Sequence, residues 1–206
     1  METLSKLFGS IVRIKVLRLF IFNQDEVFGN SEISKKLKIH QEDARRETSL
    51  LLSIGFIRRK SVYKDMAIVK RGKKIEVKKK INGYALDKEF KYTADLSALL
   101  SSDNDTHKMI LRKLRSVGTL KLVIASGFLI QDSDSSIDLL IVGNSLRKGP
   151  LEKAMKSIES EIGRELRYSA FETAEFEYRM SIYDRLVRDI MDFPHITLLD
   201  KLGVTS

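Results

Sequence analysis

The chain has no cysteine. That excludes disulfides, thiolate nucleophiles and thiolate zinc sites, and it fits a reducing compartment. Histidine is almost as scarce: His40, His107 and His195 stand far apart and show no ligand spacing. Each reads as a satisfied or solvated imidazole, and no metal site is expected from them. No segment reaches the roughly 18 apolar residues of a membrane span. The longest apolar stretch near the start, IVRIKVLRLFIF, is interrupted by Arg13, Lys15 and Arg18. It begins too late and lacks a small-residue cleavage site, so a signal peptide is not expected. These absences lead to the expectation of a soluble, cytoplasmic protein with no membrane partner.

What is present is a chain of 206 residues, 43% hydrophobic, with a net charge of +9. The length suits one larger domain or two small ones, and the apolar content suffices for real cores. The charge is very uneven. Residues 1–56 carry nine basic and seven acidic side chains, residues 57–80 eleven and two, and residues 81–206 seventeen and nineteen. One 24-residue segment therefore supplies the whole excess. A localised basic element is the usual footprint of a polyanion partner. The alternative is a charge run that merely keeps the surface solvated.

Ser10 is placed to cap a helix over IVRIKVLRLFIF, with Ile11, Ile14, Leu17 and Ile21 on one stripe, widened by Val12, Val16, Leu19 and Phe20. So wide a stripe predicts burial on more than one side. After the turn-rich NQDEVFGN, Asn30 or Ser31 is expected to cap SEISKKLKI, with Ile33 and Leu37 inward. A brief turn leads to QEDARRETSLLLSIGF. There Ala44, Thr48, Leu51 and Leu52 share one face, while Gln41, Glu42, Arg45, Arg46 and Ser49 lie mainly on the other; Gly55 stops the helix. FIRRKSVYKDMAIVK and KIEVKKKINGYAL then flank RGKK, a turn around Gly72, and read as a very basic hairpin.

Helix, tight turn, helix and basic hairpin, with LLSIGFIRRK at the junction, resemble the winged helix-turn-helix domains of ArsR-like regulators over about residues 5–90. The resemblance implies a DNA-binding transcriptional regulator. Gln41, Arg45, Arg46 and Ser49 would enter the major groove, and Arg58, Arg59, Lys60, Lys70, Arg71, Lys73 and Lys74 would meet phosphates. Glu42, Asp43 and Glu47 offset the arginines, which predicts modest base specificity. Double-stranded DNA and a second copy of the chain are the expected partners, because one winged helix buries little DNA surface. The first helix and the long C-terminal helix are the candidate dimer faces. Winged helices also serve as protein-interaction modules, and a basic hairpin reads RNA phosphates as well, although no RNP-like aromatic strand is present.

Residues 91–118 read as connecting helices: a short one around Thr93–Leu100, and HKMILRKLRSVG capped by Asp105 or Thr106. The basic side of the second helix, Lys108, Arg112, Lys113 and Arg115, is either a second phosphate contact or an ordinary exposed face. From residue 119 onward TLKLVIAS and SIDLLIVG read as strands, GPLEKAMKSIESEIG as a helix, and LRYSAF as a strand. TAEFEYRMSIYDRLVRDIMD reads as one long helix with Phe176, Met180, Tyr183, Val187 and Ile190 inward, and HITLLDKL as a closing strand. The expected whole is α+β: a winged helix-turn-helix (1–90), connecting helices (91–118) and a small α/β domain with a mixed sheet (119–206).

The last segment resembles the minimal nucleotidyltransferase domain of the DNA polymerase beta superfamily. That family carries a Gly-Ser turn after one strand, Asp-x-Asp opening the next, and a third carboxylate on a later strand. The chemistry needs hard oxygen ligands for two divalent ions, and carboxylates at i and i+2 of a strand point to the same side. In this chain Ser126 and Gly127 stand at the turn in inverted order. Ser136 stands at the first Asp, Asp138 matches the second, and LRYSAF has no acid. The resemblance thus implies a degenerate nucleotide pocket of Ser126, Gly127, Ser136 and Asp138, with no metal, no catalytic residue and no cofactor. Asp132 and Asp134 reach the site only if their loop folds back. Such a domain would serve dimerisation, partner binding or ligand sensing; the alternatives are an active nucleotidyltransferase and a toxin–antitoxin or adaptor protein.

Overall fold

The computed structural model describes residues 2–70, 73–101, 105–132 and 134–205, with side chains for all of these except 2, 64–77, 79 and 105. The chain is mixed α and β. It divides into two compact units: Met1–Leu100 with Ile162–Arg164, and Ser101–Glu161 with Glu165–Ser206.

The first unit opens with α1 (Glu2–Phe8), which the apolar pattern did not announce. Seven residues are too few to be helical on propensity alone, so packing decides the matter, and Leu4 is buried in the core. Ser10 caps α2 (Ile11–Ile21) by accepting the Arg13 amide at 3.2 Å. The wide stripe is buried as its width implies: Ile14, Val16, Leu17, Leu19, Phe20 and Ile21 are all inside. So is Arg18, whose guanidinium donates to the Leu100 carbonyl at 3.1 Å. That carbonyl lies in the last turn of α5 (Thr93–Ser101), where a cation meets the negative end of the helix.

Helix α3 (Asn30–Leu37) starts at Asn30 with Gly29 as its cap, so neither Asn30 nor Ser31 caps it. Asn30 instead accepts the Thr48 hydroxyl at 3.0 Å from α4 (Gln41–Ser53). Lys38, in the left-handed region at φ 53°, turns the chain between the two helices. Ile33, Leu37, Ala44 and Leu51 pack the pair into the core. Gly55, at φ 75°, ends α4, where a side chain would be strained.

Strands β1 (Ile57–Lys70) and β2 (Lys73–Leu86) form an antiparallel hairpin paired from Ile57↔Leu86 to Lys70↔Lys73. At roughly 3.4 Å per residue, such strands run for about 45 Å. Phe28 adds a bridge to β2: its N–H donates to the Tyr84 carbonyl, and the Tyr84 N–H donates back, both at 2.9 Å. Gly83 is required beside this bridge, since a Cβ there would lie 2.6 Å from the Phe28 carbonyl oxygen.

The second unit is built on a four-stranded mixed sheet ordered β5-β4-β3-β6. Its strands are β3 (Thr119–Ala125), β4 (Leu139–Asn144), β5 (Tyr168–Glu172) and β6 (Ile196–Asp200). Strand β3 is antiparallel to β4 and to β6, while β4 and β5 are parallel. Helix α6 (Asp105–Leu114) leads in, and α7 (Lys148–Ile162) joins β4 to β5. Leu122, Ile124, Leu140 and Val142 pack with Phe176, Val187 and Ile190. The alternate residues Val123, Leu139 and Ile141 are equally buried, so both faces of the sheet are covered.

The single helix expected over TAEFEYRMSIYDRLVRDIMD is two: α8 (Thr173–Ser181) and α9 (Arg185–Asp192). Tyr183 is left-handed at φ 54°. Asp184 caps α9 by accepting the amides of Leu186 and Val187, and it also binds Arg179 at 3.1 Å. The break turns Met180 and Tyr183 outward, so only Phe176, Val187 and Ile190 of the expected stripe are buried. At the end of β6 the Asp200 carboxylate accepts four successive amides, Leu202 to Thr205, and the Thr205 hydroxyl. These bonds hold its pKa far below the ordinary carboxylate value, the Thr205 hydroxyl contributing most. Among the described residues, no helix is long and apolar enough to cross a membrane.

Candidate functional site

Two places were singled out by sequence, one in each unit. In the first unit, α4 buries Ala44, Glu47, Thr48 and Leu51. The opposite face exposes Gln41, Arg45 and Ser49 at i, i+4 and i+8, with Glu42 and Arg46 beside them. Of the three acids expected to offset the arginines, Glu47 alone does something else. Glu47 points inward, 2% exposed, and accepts from Arg13 Nε at 2.9 Å, so it does not offset the exposed arginines. Asp43 accepts from Arg46 at 2.7 Å. Arg45 has no ion-pair partner among the described residues, and its neighbour Glu42 is the remaining acid of that face.

At the base of the hairpin Arg58, Arg59 and Lys60 are all exposed. Arg71 lies outside the described residues. The strand backbone runs through Lys70, Lys73 and Lys74, whose side chains also lie outside them. A groove of about 490 Å³ lies at this base, lined by Asn30, Arg59, Lys60, Ser61, Asn82 and Tyr84.

In the second unit the positions that the sequence singled out come together only in part. Strand β4 begins at Leu139, so Ser136 and Asp138 precede it instead of opening it. They do not share a side: Ser136 is exposed and Asp138 is 2% exposed. Ser126 is buried, and its hydroxyl donates to the Ile137 carbonyl at 2.7 Å. Gly127 sits at φ 54°, and a Cβ there would lie 2.5 Å from Asp138 Oδ1. The Asp132 carboxylate accepts the Asp134 amide of its own loop at 3.0 Å.

Both Asp138 oxygens are engaged. Oδ1 accepts the Phe128 amide at 2.9 Å and the Arg167 NH2 group at 3.0 Å; Oδ2 accepts the Arg167 amide at 2.8 Å and its Nε at 3.3 Å. Burial pushes the Asp138 pKa up. The Arg167 side-chain bonds, the two backbone amides and the guanidinium charge outweigh that, leaving the carboxyl below its ordinary value. Arg167 was not anticipated. Its signal lies in the parallel register of β4 and β5, where Leu139 faces Tyr168 and the residues just before them are therefore Asp138 and Arg167.

This donor set does not fit a pair of divalent ions. The matched carboxylate is spent on four donors, a guanidinium supplies the positive charge beside it, and the Phe128 amide of the turn is spent on Asp138. Among the described residues, no group of three or more His, Cys, Asp or Glu side chains is placed to hold a metal ion. Lys113, on the basic side of α6, turns to Ser157 at 2.9 Å and Glu161 at 4.0 Å, while Lys108, Arg112 and Arg115 stay exposed.

Fold and site together define a mixed α+β chain of two units: one presents an exposed polar helix face and a long basic hairpin, the other a carboxylate closed by an arginine. No family, curated protein or solved structure matches it.

Proposed function

We propose that the protein is a DNA-binding transcriptional regulator whose first unit works as a winged helix. The observation that carries the reading is the exposed row Gln41, Arg45 and Ser49 on α4, in the same unit as a hairpin segment holding the chain's whole charge excess. A row at i, i+4 and i+8 spans about two helical turns on one face, and the major groove is wide enough to admit an α-helix. The hairpin would track the phosphates. Arg46 would exchange Asp43 for phosphate on binding. The second unit would be a catalytically inactive nucleotidyltransferase-like domain serving dimerisation, partner binding or ligand sensing, a reading supported by the four donors that engage Asp138.

The test is fluorescence anisotropy with random duplex DNA over a salt series. Wild type is compared with Arg45→Ala and with a hairpin variant carrying Arg71→Ala, Lys73→Ala and Lys74→Ala. The expected result is steep loss of affinity with salt, with a slope shallower by about 0.9 for each phosphate contact removed. No binding at low salt would refute the reading and point to a protein-interaction module.

A further inference from the structure

One face of the hairpin base carries, beside Arg59, side chains to which duplex binding assigns no role. Side chains alternate along a strand, and directly paired residues share a face. The register therefore puts three pairs in a row on one face: Arg59 with Tyr84, Ser61 with Asn82, and Tyr63 with Lys80. Tyr63 is 72% exposed. Lys80 beside it is exposed, as is Lys78 one step further along. The groove of about 490 Å³ is lined by the first two pairs together with Asn30 and Lys60, a volume within the size range of small-ligand sites. Ser61 donates to Asn82 Oδ1 at 2.7 Å, so the amide of Asn82 is oriented by its neighbour.

An exposed ring flanked by cations, next to a polar groove with an arginine, suits a nucleotide whose base is free to stack. In a duplex both faces of each base are already stacked, so Tyr63 has nothing to receive there. In a single strand every base has a free face, and stacking on an aromatic side chain is tolerant of sequence. We propose that this face of the hairpin is a binding site for unpaired nucleotides of a single-stranded nucleic acid. Tyr63 is the stacking platform, Arg59, Lys78 and Lys80 meet phosphates, and Ser61 and Asn82 meet sugar or base edges in the groove. The site does not depend on α4; it shares Arg59 with the duplex reading, and Tyr63 is the residue that separates the two.

The experiment uses the full chain and a fluorescein-labelled 12-nucleotide oligo(dT), with a random duplex alongside. Tyr63→Ala, Tyr63→Phe and Arg45→Ala are compared with wild type, and poly-glutamate serves as a competitor. Truncating so exposed a ring leaves the fold intact, and the phenylalanine variant restores stacking. The expected result is a loss of oligo(dT) affinity of about 5- to 150-fold in Tyr63→Ala, from the roughly 1–3 kcal/mol of one base–aromatic stack. Tyr63→Phe stays within about twofold of wild type, and Arg45→Ala leaves oligo(dT) affinity unchanged. The proposal is overturned if wild type does not bind oligo(dT) at low salt, or if Tyr63→Ala binds it as wild type does. Equal loss on duplex and single strand in Tyr63→Ala also overturns it, because the ring then serves a general backbone contact. So does equal displacement of oligo(dT) by poly-glutamate of matched charge, which would make the face a generic polyanion surface, or a loss in Arg45→Ala matching that in Tyr63→Ala, which would place the strand on α4.

Discussion

Replacing Asp138 by alanine should loosen the second unit locally and strongly, and the geometry sets the size of the effect. The carboxylate accepts two backbone amides, Phe128 at 2.9 Å and Arg167 at 2.8 Å, and two guanidinium contacts. Each amide left without its acceptor costs about 1–3 kcal/mol. The Arg167 side chain is 55% exposed and turns to water, so loss of the ion pair adds at most about 1 kcal/mol. Both amides are only part-buried, which favours the lower half of that sum, about 2–4 kcal/mol. At about 1.4 kcal/mol per factor of ten, amide hydrogen exchange in peptides covering residues 119–144 and 165–172 should accelerate by about 30- to 700-fold. Peptides of α2 and α4 provide the internal reference. Arg167→Ala should accelerate the same peptides much less, because both amides keep their acceptor. An Asp138→Ala protein whose exchange there changes by less than about threefold would refute the claim that the carboxylate organises the turn.

Gly127→Ala should destabilise the second unit by about 2–4 kcal/mol, combining a 2.5 Å clash with Asp138 and a left-handed backbone; urea unfolding followed by circular dichroism reads it. Arg13→Ala leaves Glu47, 2% exposed, without its cation and should cost the first unit about 2–4 kcal/mol in the same assay. The pKa values of Asp138 and Asp200 are both held below their ordinary value in the folded chain. Their contribution to stability is therefore complete above about pH 4 and is lost as pH falls through the depressed values. The second unit should weaken between about pH 4 and pH 2, and the double variant Asp138→Asn, Asp200→Asn should show a flatter profile over that range in denaturant titrations.

Much of the secondary structure was legible because its determinants are local. Ser10 capping α2, the broad apolar stripe of α2, Gly55 ending α4 and the two hairpin strands all rest on signals within a few residues. The break between α8 and α9 was also written locally, in an aspartate able to cap a second helix, but an unbroken four-three apolar spacing masked it. Only the positions of Met180 and Tyr183 on the exposed side reveal which signal won.

Composition and pattern alone determined a chain without thiol chemistry, mixed α and β, with its entire charge excess in one hairpin. Tertiary structure decided what the charges do. The sequence cannot say that Glu47 lies inward on Arg13, 34 positions away, while Arg45 faces out, because a helix face is assigned only when its partner is known. Nor can it pair Asp138 with Arg167 across 29 positions, since that contact exists only through the parallel register of β4 and β5. The face shared by Arg59, Tyr63 and Lys80 depends likewise on hairpin register, in which a slip of one residue would send each side chain to the opposite side.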